Sequence, residues 1–193
     1  KAEASEAQVK VAEVKAKLVE ASKLLTDKAD KADLTTAKTE LDELAKADVA
    51  TADKTTSTKA AYDTAKQAAE EAVTEATKVI NNEDATSEEV ATALANVKAK
   101  KAELEKAKVG LVDKITDSQK AELAKVEETL KPADTADKTP KSVEAYNKEI
   151  EKLQAELDAA KRDAKAVVDK GEEATKAEAS EAQVKVAEVK AKL

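Results

Sequence analysis

From Pro140 onward, apolar residues fall at Val143, Tyr146, Ile150, Leu153, Leu157, Ala160, Ala164 and Val167. The steps alternate between three and four, which draws one stripe along a helix. Thr139 precedes the run, and Pro140 suits the first helical position, where a missing N–H leaves nothing unpaired. Gly171 closes it by supplying the left-handed conformation common just past a helix C-terminus. A matching helix is predicted from near Thr55, with Tyr62, Ala65, Ala69, Ala72, Ala76 and Val79 on its stripe. It stops at Asn81–Asn82, Asn being the second choice for the same left-handed position.

Each long helix is followed by another. Thr86 and Glu89 stand at capping-box spacing, where each side chain can satisfy a backbone N–H of the other. The stripe after them is Val90, Leu94, Val97, Leu104, Leu111 and Ile115, with Lys101 and Lys108 in two slots. Those lysine stems can lie along apolar surface while the ammonium reaches water. Gly110 interrupts the run and leaves the end of this helix open. Thr175 and Glu178 repeat the box, ahead of Val186, Val189 and Leu193. The same helix opens the chain as Val11, Val14, Leu18, Ala21 and Leu25, without the box Thr, so its first turn is expected to fray. Two shorter helices complete the set. One spans residues 33–46 with Leu34, Ala37, Leu41 and Leu44. The other follows the Thr116/Gln119 box with Leu123, Val126 and Leu130, and Pro132 prevents its continuation.

Residues 1–18 return unchanged at 176–193, an offset of 175. A fixed period of this kind signals an array. The expectation is one full unit plus the start of the next, with both ends cut inside a longer array. Within the unit, TADKTTSTKAAY (51–62) answers TADKTPKSVEAY (135–146), and the only two tyrosines coincide. Each helix has one apolar face, and three short-looped helices folding together bury it most simply. The predicted fold is all-α: two three-helix bundles in tandem forming an elongated rod, part of a longer repeat array. The expected boundaries are 1–50, two helices completing a bundle whose first helix lies upstream; 51–131, a three-helix bundle; and 132–193, the first two helices of the next, with a new repeat starting at 176.

Composition sharpens this picture. Charged residues are 39% and aromatics 1%, with no Phe, Trp, Met, Cys or His, and only two Gly and two Pro. Such a chain favours helices and cannot build a core from large side chains. The net charge of −7 comes from interleaved signs, so no basic stripe exists to follow a nucleic-acid backbone. No apolar run is long enough to insert in a membrane. Without His or Cys, most nucleophile–base pairs and the usual zinc ligands are missing. No enzyme activity, cofactor, catalytic residue or metal site is expected. The oxygen-rich NNEDATSEE loop (81–89) lacks the order and the sharp-turn Gly of a calcium loop. It reads instead as a helix stop followed by a capped helix start.

Tyr62 and Tyr146 sit in the first turns of equivalent helices. Each is read either as a core residue whose hydroxyl reaches the bundle end or as an organiser of the junction between bundles. The stretch Ala61–Leu104 resembles a FIVAR-type repeat, in which a Tyr opens one helix and an "n…at…ev" turn leads to a second. Asn81, Asn82, Ala85, Thr86, Glu89 and Val90 carry that turn. The segment from Ala145 into the returning 18-mer resembles it more loosely. The resemblance implies a Gram-positive cell-wall-anchored adhesin built from paired three-helix bundles, displayed outside the cell. Its partners would be neighbouring repeats and a host matrix protein such as fibronectin. Three roles follow as expectations: a monomeric stalk or spacer, a module that itself binds a host matrix or plasma protein, or a self-associating coiled coil.

Overall fold

The computed structural model describes residues 2–25 and 28–192, so the expected stripe position Leu193 lies outside the described residues. Among the described residues there are seven α-helices and no strand. They are α1 (Ala2–Ser22), α2 (Ala32–Lys46), α3 (Thr56–Asn81), α4 (Ser87–Val109), α5 (Asp117–Ala124), α6 (Pro140–Asp169) and α7 (Lys176–Lys192), with one 3-10 turn at Gly171–Glu173. The chain divides into two compact units. One holds residues 1–45 and 69–101, the other 46–68 and 102–193.

In the first unit the buried residues come from α2, α3 and α4 and are mostly small. Leu34, Leu41 and Ala45 of α2 are fully buried. Ala69, Ala72 and Ala76 of α3 and Val90 and Val97 of α4 are buried as well. Lys101 of α4 reaches Glu40 of α2 at 2.7 Å, and Lys31 donates to the carbonyls of Ile80 and Asn82 at the end of α3. Asn82 is not left-handed, since no described non-glycine residue has positive φ. Its carbonyl is instead capped by Lys31, and its side chain accepts from the Asp84 N–H at 3.0 Å. Helix α1 starts at Ala2 without the capping Thr; Glu3 in its first turn suits the positive end of the helix dipole. None of its residues is buried.

In the second unit α5, α6 and α7 pack on one another. Ile115 and Leu123 meet Ala164, Ala174, Ala179 and Ala182 in one cluster, and Leu157, Ala160 and Val189 form a second. The sequence reading groups α5 with α3 and α4, yet its contacts run to α6 and α7. Gly110 is the reason. Helix α4 ends at Val109, and a Cβ on Gly110 would stand 3.2 Å from the Lys106 carbonyl. Ile115 therefore leaves the α4 stripe and becomes the first apolar anchor of the following trio. Helix α5 stops at Ala124 rather than near Leu130. Val126 still packs against the cluster, and Glu128 pairs with Lys190 of α7. Gly171 has φ 58°, as its position past α6 requires.

Candidate functional site

The most constructed feature of the second unit is where three loops meet. Residues 53–55 precede α3, 112–115 lie between α4 and α5, and 174–176 precede α7. These segments pair in the antiparallel sense at Lys54–Asp113 and Lys114–Thr175. The Thr55 N–H donates to the Val112 carbonyl (2.9 Å) and the Lys114 N–H to that of Asp53 (2.9 Å). The Ile115 N–H donates to the Ala174 carbonyl (2.7 Å) and the Lys176 N–H to that of Asp113 (2.9 Å). Each of these donors lies in a loop or at the first turn of a helix, where no helical carbonyl can satisfy it, so the ladder supplies partners that the helices cannot. Thr55 is 2% exposed, and its hydroxyl shares a hydrogen bond with that of Thr58 (2.8 Å).

Charge closes the ladder from outside. Lys54 pairs with Asp113, and Lys114 pairs with Glu172 at 2.7 Å. Glu173 accepts from both the N–H and the hydroxyl of Ser57, at 2.9 and 2.6 Å. An open groove of about 490 Å³ runs beside these residues. Its wall carries Asp53, Asp113 and Asp117 against Lys54, Lys114 and Lys176, a balanced set with ion pairs already formed. Exposed pairs of this kind contribute little each; the backbone bonds hold the loops. Replacing Lys114 with Pro removes the donor to Asp53. Amide exchange at Thr55, Ile115 and Lys176 should then accelerate several-fold to roughly tenfold, from a half-exposed bond worth about 0.5–1.5 kcal/mol. Amides in the middle of α6 should keep their rates.

The three capping boxes form as their spacing predicts. Thr86 and Glu89 exchange hydrogen bonds of 2.8 and 3.2 Å, Thr116 and Gln119 do likewise, and Thr175 and Glu178 follow at 3.0 and 3.1 Å. In the 81–89 loop the Glu89 carboxylate is thus committed to Thr86. Among the described residues, no group of three His, Cys, Asp or Glu is placed to hold a metal ion, and no helix is long and apolar enough to cross a membrane.

The tyrosines part company. Tyr62 is 3% exposed, a core residue. Tyr146 is half-buried, and its hydroxyl accepts from the Ala133 N–H in the segment before α6. Their preceding linkers still fold alike: Lys54 N–H bonds the Thr51 carbonyl at 3.2 Å, and Lys138 N–H that of Thr135 at 3.1 Å. Neither tyrosine contributes to the loop ladder. Of the residues that do, Ile115 is expected on the α4 stripe and Thr55 at a helix start, whereas Asp113 and Lys114 escape a search for helical stripes because they lie between them.

The carboxylates set the pH response. The hydrogen bond from Lys54 holds Asp113 below the usual carboxylate range. Lys114 does the same for Glu172, the Thr86 N–H for Glu89, and Lys170 with the Thr175 N–H for Glu178. A folded pKa below the unfolded one gives stability that is present above the unfolded value and lost as pH falls through the folded one. The melting temperature should therefore stay level through neutral pH, where a chain without His or Cys has no side chain of ordinary pKa, and fall below roughly pH 4.5. Glu178→Gln keeps a capping acceptor but takes up no proton, so the acid limb should become shallower. An unchanged acid limb would exclude Glu178 from it.

The sequence has relatives. Residues 43–105 and 133–193 match the FIVAR domain. The chain is 34% identical over 148 residues to the extracellular matrix-binding protein EbhB of Staphylococcus aureus strain N315, covering 77% of this chain and 4% of that protein. The extracellular matrix-binding protein ebh of strain JH9 matches with the same identity over the same length, which is 1% of its own. The chain thus spans a small fraction of these relatives. No solved structure matches it. One FIVAR match covers α3 and most of α4 and the other α6 and α7, the two long pairs with capped second helices. With both pairs matched over more than half its length, the chain belongs to the FIVAR domain family.

Proposed function

We propose that the chain is a repeat unit of a bacterial surface adhesin and acts as a spacer, in a parent protein held to the cell wall and reaching the extracellular space. The observation that carries this reading is the return of residues 1–18 at 176–193, in frame with α7, so that one unit ends on the helix with which another begins. A unit of that kind adds length with copy number. Its loops spend their polar groups on each other, which suits a load-bearing connection better than a receptor site. Concatenated copies should lengthen by a constant increment per repeat in small-angle scattering. A maximum dimension that stays flat with copy number would contradict the spacer role.

A second reading, direct binding of a host matrix or plasma protein, is favoured by the names of the staphylococcal relatives. The two are separated by presenting a single unit to immobilised plasma and matrix proteins. Saturable binding supports the second, and its absence together with linear lengthening supports the first.

Within the spacer, Tyr146 is the tyrosine suited to stiffen a connection, because it ties the segment before α6 onto α6 itself. Tyr146→Phe loses that one bond, worth about 1 kcal/mol. The Ala133 amide should exchange several-fold faster with helix content unchanged. Equal exchange in the variant would remove Tyr146 from this role.

A further inference from the structure

We propose that the loop ladder is a mechanical clasp: it carries tension across the second unit from residues 53–55 to α7 and leaves α3, α4, α5 and α6 out of the load path. The clasp deepens the spacer reading and rests on it for its purpose, since a connecting element is one that is pulled. The warrant is the order in which the chain visits the ladder. Residues 53–55 come first, 112–115 lie in the middle, and 174–176 come last. The middle segment is antiparallel to both outer ones, so the outer two run parallel to each other. Tension that arrives along residues 47–53 leaves along α7. It crosses two pairs of backbone bonds and need not follow residues 56–173 through four helices.

The direction of pull is the one that such a ladder resists best. The first segment is drawn toward its N-terminus and the last toward its C-terminus. Parallel segments pulled at opposite ends slide past each other, and bonds lying across them are strained together. Pulled at the same end, the bonds would open one by one. Side chains strengthen the same crossing. Glu173 accepts from the Ser57 N–H and hydroxyl at 2.9 and 2.6 Å, which joins the last segment to the start of α3 without the middle one. Lys54 pairs with Asp113, and Lys114 with Glu172 at 2.7 Å, one ion pair on each side of the middle segment. Thr55, Ile115 and Ala174 are buried, which keeps competing water from two of the four backbone bonds.

What the clasp holds back is long. Once it opens, residues 56–173 can be drawn out to roughly 400 Å, at about 3.3–3.6 Å per residue. While it is closed, the same residues add nothing to the extension. The spacer thus keeps its length under load and yields at one defined place.

The chain contains no cysteine, so pairs of introduced cysteines place pulling handles without ambiguity. Asp48→Cys with Glu181→Cys, both exposed positions, pulls across the ladder. Ala136→Cys, also exposed, with Glu181→Cys pulls through α6 and leaves residues 53–55 slack. Optical-tweezers records at one loading rate should give an opening force at least about twofold higher on the first axis, because forced unfolding is set by the barrier along the pull. Glu173→Ala removes both bonds from Ser57, and Lys114→Pro removes one of the four backbone donors. Each should lower the force on the first axis by roughly a quarter or more, since the bonds share the load, and leave the second axis unchanged. A general loss of stability would instead lower both axes alike. Equal forces on the two axes, or an equal fall on both in the variants, overturns the proposal. Should Lys114→Pro fail to fold, Glu173→Ala decides alone, because its side chain is exposed. Scattering from concatenated copies separates this outcome from the spacer role. A constant increment per copy with equal forces retains the spacer and removes the clasp, and unequal forces without that increment do the reverse.

Discussion

Replacing Leu41 with Ala should lower the melting temperature of the first unit by roughly 10 °C or more. Leu41 is fully buried and is one of only three buried residues on α2, with Leu34 and Ala45. Its truncation removes about 2–5 kcal/mol, the sum of lost burial and the cavity left behind. For a unit of this size, each kcal/mol shifts the melting temperature by about 4–8 °C. The gap is hard to refill, because the other buried residues of this unit include Ala69, Ala72 and Ala76, whose methyl groups have no rotamer to change. Helix α2 has 15 residues and forms only marginally in isolation, so losing its anchor releases the helix as a whole. Leu18→Ala is the control. Leu18 is 69% exposed on α1, and its truncation should change stability by less than about 0.5 kcal/mol. Thermal melts followed by circular dichroism compare the two directly. Equal shifts would mean that α2 does not close the core.

The second large effect runs against simple hydrophobicity. Ala164→Leu adds apolar surface, yet it should destabilise the α5–α7 trio by about 1–3 kcal/mol or more. Ala164 is 1% exposed and lies among Ala174, Ala179 and Ala182. Helices that meet through alanine approach closely, and a branched side chain there forces them apart. The same substitution at exposed Ala155 on α6 should be nearly neutral, since Ala and Leu are both strong helix formers. Loss of melting temperature at 164 but not at 155 is the expected pattern. Tolerance of Leu at both positions would mean that the seam is loosely packed.

Much of this was legible in the sequence, and for identifiable reasons. The three capping boxes, Pro140 and Gly171 are local signals, and each acts through its own neighbours, so the helix starts and the α6 end follow from them. The stripe on α6 was readable because Leu157, Ala160 and Ala164 keep the helical period. What failed was long-range. The partners of α5 depend on where Ile115 points once Gly110 has ended α4, and periodicity carries no information across such a break. Leu94 and Leu153 look equal to Leu104 and Leu157 on a helical wheel, but they are only half-buried, because burial depends on how far each neighbouring helix extends. The loop ladder was illegible for a related reason. Its bonds join backbone groups about 60 residues apart, and backbone pairing leaves no side-chain period. The small turns it needs, Thr51–Lys54 and Thr135–Lys138, were visible as a repeated string without any sign of what the first of them pairs with.

The central claim is that packing, not sequence, separates α1 from α7. Amide hydrogen exchange on the intact chain tests it most directly, because eighteen residues serve as their own control. Protection at Val186 and Val189 should exceed that at Val11 and Val14 by orders of magnitude, since the first pair is shielded by α5 and α6 and the second is not. Equal protection of the two helices would show that α1 is as well packed as α7, and the arrangement described here would be wrong.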